Sequence, residues 1–301
     1  MLISATQLSA VYTGLKSVFN DGFMLTGSGI EDHWKKIAME VPSDTEQEEY
    51  GFMNNMGVIR EWVGDRVLQS MSEASYVIKN KHFEGTFAVP ADKIADRKIG
   101  MYNIPTKQLG QNVRTFPNRL VFPLLTGGFT TRGLDGQYFF DANHPVGNAA
   151  GGVDLVSNTG GGTGAAWFLL DTTKIIKPVV FQERQAFNFA NLTEMSKSDH
   201  VFMRNEFLFG VDGRCNVGYG LWQTAYASRQ PLTSANVQAA RAAMMSIKGA
   251  NGEPLGIVPN LLVVSPSQEM DARKITEAII VGTDTNVMKG VLETMASAWL
   301  V

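Results

Sequence analysis

The sequence predicts an α+β fold, with helices and strands kept in separate stretches of the chain. Three observations carry that expectation. Apolar residues recur at helical spacing near both ends and in the middle. Runs rich in β-branched and aromatic residues fill the stretches between them. No internal repeat links the two kinds of segment, so the elements mix without alternating. The 301 residues, 44% of them apolar and 18% charged, suffice for one large domain or two smaller ones with a sizeable core. The 30 glycines call for many turns.

Residues 4–19 read as an amphipathic helix, with Leu8, Val11, Leu15, Val18 and Phe19 on one side. Ser4 and Gln7 form a capping-box pattern at its start. A short helical stretch holds Trp34 and Ile37, and an acidic run follows from Asp44 to Glu49. That run reads first as a solvated loop or helix start, and second as a metal site. Across residues 46–90, EEYGFM is extended, NNMGVIREWVGDR is turn-rich, and ASYVIKNKHFEGTFAVP returns as strand. Two arms around a long tip predict a protruding hairpin. A lone hairpin is marginal in water, so it needs a surface, either its own domain's or a neighbour's.

Residues 91–126 are helical in pattern through Leu109, Val113, Phe116, Leu120 and Leu124. Pro117 should break or kink this helix, and Gly127-Gly128 should stop it. The Gly-rich stretch 146–164 reads as a mobile surface loop. Strand-like pieces follow in WFLLD, KPVVFQER and HVFMRNEFLFG. Residues 233–248 form a helix capped by Thr233 or Ser234, with Val237, Ala240, Met244 and Ile247 inward. After Pro259, LLVV is a buried strand. A helix carrying Met270, Ile275 and Ile279 follows, and VLETMASAWLV is a last strand.

Chemistry is hard to find. The net charge is −3 and no dense Lys/Arg run exists, which argues against a tight grip on nucleic acid. The lone Cys215 excludes an internal disulfide, fits a reducing compartment, and reads as a buried or neutral thiol. No apolar stretch reaches the roughly 18 residues that span a bilayer, and MLISATQLSAVYTG lacks the charged start of a signal peptide. The expected home is the cytoplasm. None of His33, His82, His144 and His200 has recognised ligand spacing. His144, before Pro145, reads as a turn residue. His200 follows Asp199, but no GxSxG elbow accompanies the pair. Gly160–Gly164 lacks the GxxxxGK[ST] of a phosphate loop, and Asp135, Asp141 and Asp284 read as turn carboxylates. No catalytic residue, cofactor or metal is expected.

Several segments together resemble the major head subunit family of phage Mu and its relatives. They are REWVGDR (60–66), YVIKNKHFEGT (76–86), LLTGGFTTRGLDGQYFFDANHPV (124–146), KPVVFQER (177–184), DHVFMRNEFLFG (199–210) and GYGLWQTA (218–225). Each is short, but the six in one order are specific, and the resemblance covers nearly the whole chain. It implies the Hong Kong Ninety-Seven capsid fold of tailed phages. Residues 1–45 would be the N-terminal arm and 46–90 the extended loop. Residues 91–227 would be the peripheral domain, with a spine helix at 91–126 and long strands at 165–227, and 228–301 the axial domain.

The implied function is a major capsid protein that self-assembles into the icosahedral head around double-stranded DNA. The implied partners are copies of itself in pentamers and hexamers, a separate scaffold with a protease, a portal at one vertex, and a decoration protein. DNA is enclosed without specific binding and no membrane takes part. Assembly would occur in the host bacterial cytoplasm, and the product is the virion capsid. Arg60, Glu61, Trp62, Arg66 and Phe83 are the candidate inter-subunit contacts, with Val67 as a further apolar loop residue. Alanine at Gly127 and Gly128 should impair shell closure. Lys79 and Lys81 lie on the return arm rather than at the tip (54–70), so no covalent chain-mail is expected. The helix starting by residue 4 leaves no long scaffolding extension before it. Two rivals stand beside this reading: an encapsulin-type compartment, and a cytosolic hydrolase using His200 with Asp199.

Overall fold

A computed structural model describes residues 3–25, 27, 29–51, 76–148, 152–194, 199–249, 252–281 and 284–300. Helix α1 (Ala5–Phe23) begins with the expected capping box. The Gln7 N–H donates to Ser4 Oγ, and Gln7 Oε1 accepts from the Ser4 N–H. Its apolar stripe buries Leu15, Phe19 and Gly22 against α4 (Asn103–Gly127). At the crossing the backbones touch. A Cβ on Gly22 would lie 1.9 Å from the Lys107 carbonyl oxygen, and one on Gly110 would lie 2.1 Å from that of Phe19.

Of the break or kink expected at Pro117, the break does not occur. α4 runs through Pro117 and Pro123 and ends at Gly127. Each proline removes one backbone donor, but Val113, Asn118, Val121, Phe122 and Leu125 are buried along the helix, and tertiary packing of that kind outweighs local propensity. Buried Asn118 also pins the arm. It accepts from the Trp34 N–H (3.0 Å) in α2 (His33–Ile37) and donates to the Glu31 carbonyl (3.3 Å). The expected helix at 91–126 is thus α3 (Ala91–Ala95), a 3-10 turn (Ile99–Tyr102) and α4.

A four-stranded sheet lies under these helices. β1 (Ala38–Pro42) runs parallel to β9 (Val179–Leu192). β9 is antiparallel to β10 (Glu206–Tyr219), and β10 to β4 (Lys81–Pro90). β10 alternates buried and half-buried, placing Phe207, Phe209, Val211 and Cys215 inward, as a sheet with one covered face requires. β2 (Gln47–Tyr50) pairs antiparallel with β3 (Tyr76–Lys79), from Gln47 opposite Lys79 to Tyr50 opposite Tyr76. The extended arms are therefore paired as expected, while residues 52–75 between them lie outside the described residues.

The second sheet has five strands in the order β15-β12-β8-β11-β7. These are β7 (Thr159–Gly162), β8 (Trp167–Leu170), β11 (Ala225–Arg229), β12 (Leu261–Val264) and β15 (Glu293–Ala296). Every residue of β8 and β12 is buried, because both faces are covered. On one face Trp167, Leu169, Leu262 and Val264 meet α6 (Ser234–Met245) and α7 (Glu269–Thr276). On the other, Phe168, Leu170, Leu261 and Val263 meet Phe122, Leu125 and Phe181. Thr233 caps α6, accepting from the Asn236 N–H.

Four pieces differ from expectation. HVFMRNEFLFG, read as strand, opens as the short helix α5 (Asp199–Arg204) before β10 begins at Glu206. The stretch 165–227 divides between the two sheets, so a boundary at 227/228 would run through the five-stranded one. WFLL and VVF are both short apolar runs, and only long-range pairing decides which sheet takes each. Residues 146–164 are not one loop. β5 (His144–Gly147) pairs with β6 (Val153–Val156), and β7 follows as an edge strand. Two of its glycines are there for close approach. A Cβ on Gly160 would meet Ser228 Oγ at 2.6 Å, and one on Gly162, at φ +94, would meet the Arg229 carbonyl carbon at 2.4 Å. The last strand is shorter than VLETMASAWLV, covering Glu293–Ala296 alone. Among the described residues no helix is long and apolar enough to cross a membrane.

Candidate assembly surfaces

The root of the β2–β3 hairpin is built from buried polar side chains. Asn80, at the bend between β3 and β4, donates to Ser43 Oγ (2.9 Å) and the Thr45 carbonyl (3.0 Å) and accepts from Gln182 Nε2 (2.8 Å). Fully buried Gln182 also donates to the Ile78 carbonyl (3.1 Å) and accepts from Tyr50 Oη (2.8 Å). The acidic run is a turn leading into β2. One Glu48 oxygen accepts from Ser43 Oγ, Thr45 Oγ1 and the backbone N–H groups of Thr45 and Asp44. These hydrogen bonds, the Ser43 and Thr45 hydroxyls foremost, push the Glu48 carboxyl down to about 2. Lys79 pairs with Glu46 at 2.9 Å across the same root.

Arg60, Glu61, Trp62 and Arg66, with Val67, lie outside the described residues. Phe83 is in β4, where its half-buried ring meets Phe116 of α4 edge-on at 4.7 Å, and Phe116 meets Phe187 at 5.4 Å. It rests on its own chain's long helix.

A further surface was not legible in the sequence. β13 (Ile280–Val281) and β14 (Asp284–Thr285) form a small ribbon after α7. Ile279, Ile280 and Val287 around it are 64%, 63% and 76% exposed. Their backbone is nonetheless held firmly. Asn286 Nδ2 donates to the Ile275 (2.8 Å) and Ala278 (2.9 Å) carbonyls, and its Oδ1 accepts from the Met288 N–H (3.0 Å). The one available signal was a set of β-branched residues flanking GTDTN, of which the sequence placed only Ile279, on a helix with Met270 and Ile275.

The chemical candidates do not assemble. His200 Nε2 is 3.3 Å from a Glu206 carboxylate oxygen, without hydrogen-bond alignment, and Asp199 is not its partner there. Cys215 is buried, and desolvation, reinforced by Glu183, pushes its thiol up to about 12, the opposite of what a nucleophile needs. Among the described residues no three His, Cys, Asp or Glu side chains could hold a metal. His144 is more than a turn residue: it is wholly buried and paired with Asp135 at 2.6 Å.

The chain matches the family described as Mu-like prophage major head subunit gpT over residues 8–300. It is 34% identical over 313 residues, all of both chains, to the major capsid protein of Escherichia phage Mu. Its structure is similar to a chain of the bacteriophage JBD30 procapsid, with a TM-score of 0.86, 34% identity, and coverage of 99% of this chain and 100% of that one. A JBD30 capsid decorated with minor capsid protein trimers gives a TM-score of 0.76 at 25% identity over 92% of each chain. Likeness of sequence and fold from end to end leaves one assignment: the chain belongs to the Mu-like major head subunit family and has the Hong Kong Ninety-Seven fold of tailed-phage capsid proteins.

Proposed function

We propose that this protein builds the icosahedral head shell of a Mu-like phage around packaged DNA and performs no covalent chemistry. The observation that carries this reading is the procapsid likeness over the full length of both chains. The division of labour follows the parts of the fold. Residues 1–45 are the arm, tied to α4 through Asn118. Residues 46–90 are the extended loop, with its root at Asn80 and its tip offering Arg60, Glu61, Trp62 and Arg66 to a neighbouring copy. The four-stranded sheet with α4 serves as the peripheral unit, and the five-stranded sheet with α6 and α7 as the axial unit. The boundary drawn at 227/228 then gives way to two direct connections between the sheets, 171–178 and 220–224.

Head-to-tail contacts close into rings, which gives pentamers and hexamers from one sequence. Obligate contacts of this kind bury more than roughly 2,000 Å². The firmly held Ile279, Ile280 and Val287 are a fitting apolar contribution to such a ring. A separate scaffold and protease, a portal and a decoration protein complete the assembly in the host cytoplasm; the JBD30 capsid carries minor capsid protein trimers. With a net charge of −3 the shell encloses DNA rather than gripping it. The test is size-exclusion chromatography with negative-stain microscopy of the leading peak. Closed shells or five- and six-membered rings are expected. A compact monomer, unchanged by concentration or added scaffold, would overturn the proposal.

A further inference from the structure

The chain passes directly between its two sheets twice, through 171–178 and 220–224, and the two passages lie side by side. The Asp171 N–H donates to the Thr224 carbonyl and the Gly220 N–H to the Pro178 carbonyl, both at 2.8 Å. A Cβ on Gly220 would lie 2.0 Å from the Lys177 carbonyl oxygen. Against this passage sits a buried polar cluster that the assembly surfaces do not use. Trp222, in the second passage, stacks on His144 with ring centroids 4.0 Å apart and planes 8° from parallel. His144 Nδ1 is 2.6 Å from Asp135 Oδ2, and Nε2 is 3.1 Å from Asn158 Oδ1. Asp135 lies on the turn after α4, and its other oxygen accepts from the Gln137 N–H.

The orientation of Asn158 fixes the hydrogens. Its Nδ2 faces the carbonyls of Phe139 (2.8 Å), Ala225 (3.3 Å) and Trp222 (3.4 Å). Its Oδ1 accepts from the Asp141 N–H (2.9 Å). A flipped amide would set donor against donor at Asp141 and leave three carbonyls facing an oxygen. The Nε2 nitrogen of His144 therefore donates. With Asp135 ionised, its carboxylate accepts at Nδ1, so that nitrogen donates as well, and a ring carrying both hydrogens is a cation. The face of Trp222 is a favourable neighbour for a cation, and a buried cation requires a partner such as Asp135.

We infer that His144 is a buried imidazolium, and that Asp135, His144, Asn158 and Trp222 form a lock setting how the two sheets meet. The lock draws together the exit of α4, the β5–β6 ribbon, the start of β7 and the 220–224 passage. It is not a catalytic dyad, because both ring nitrogens are committed and the ring has no access to solvent. Its consequence for the shell rests on the shell-building reading; the hydrogen count does not.

The first experiment is solid-state NMR of assembled protein carrying nitrogen-15 histidine, at about pH 8, where an ordinary histidine ring keeps a single hydrogen. The signal lost in His144→Gln identifies the residue. Two ring N–H hydrogens on His144 are expected, falling to one in Asp135→Asn. A single hydrogen in the unsubstituted protein would overturn the inference, since the proton would then sit on Asp135. The second experiment is the diameter distribution of Asp135→Asn particles by electron microscopy. A broadened distribution or loss of closed shells is expected. Uniform shells of normal diameter would refute the role in setting the sheet angle while leaving the hydrogen count to the NMR.

Discussion

Gly127 and Gly128 are neighbours at the end of α4, yet they are glycine for different reasons. Neither needs a left-handed torsion: Gly127 closes the helix and Gly128, the C-cap, has φ −62. A Cβ on Gly127 would make only ordinary contacts, with Tyr219 Oη at 3.6 Å. On Gly128 it would meet the buried Phe140 ring at 2.7 Å. Gly128→Ala should therefore cost about 1–3 kcal/mol by overpacking. Gly127→Ala should be neutral or gain up to about 1 kcal/mol from helix propensity. Urea unfolding of the two single variants checks this. Shell defects in the double variant should then trace to Gly128 alone, and to packing rather than to lost flexibility. The glycine pair itself was legible in the sequence as a helix stop, but the packing reason was not, because Phe140 comes close only in three dimensions.

Elements whose signals are local were readable: the Ser4–Gln7 box of α1 and the Thr233 cap of α6 each involve residues three apart. Elements decided by distant contacts were not. α4 survives Pro117 because of what it packs on, and Gly160 and Gly162 of β7 answer to β11 across the sheet. The α1–α4 crossing belongs to the second kind. Gly110→Ala would drive a methyl into α1 backbone and should cost about 3 kcal/mol or more. Limited proteolysis should then release α1 ahead of the rest of the chain. The hairpin root has its own test in pH. Glu48 is held below the ordinary carboxyl value of 4.5, at about 2, so its bonds are complete above about 4.5 and are lost as pH falls through about 2. Amide exchange at Asp44 and Thr45 should accelerate across that window. Glu48→Gln should exchange fast at every pH, and a flat profile in the parent protein would show that the carboxylate does not organise the turn.

At the scale of the molecule, the family signatures carried the fold while burial patterns within the chain could not divide it into its two sheets. WFLL reads like any buried strand, and nothing local says that it pairs with LLVV more than ninety positions later and not with VVF nearby. The assembly surface was harder still, since a residue exposed in one copy and covered in the next has the same composition as a core residue. Ile279, Ile280 and Val287 are proposed as such residues: the sequence put Ile279 on the helix of Met270 and Ile275, whereas α7 ends at Thr276 and all three are exposed beside Asn286. Singly exposed apolar residues need no explanation, but several together are the pattern expected of a contact surface. Ile280→Asp tests the point without disturbing the core, because the side chain it replaces already faces solvent. Surface changes away from packed features usually shift stability by no more than about 0.5 kcal/mol, so the subunit should melt as before. If the ribbon meets another copy, each ring would bury a carboxylate at every contact, and rings and shells should vanish from the leading chromatographic peak while folded monomer accumulates. Normal rings from that variant would mean that the ribbon faces solvent in the shell and that the ring contacts lie elsewhere.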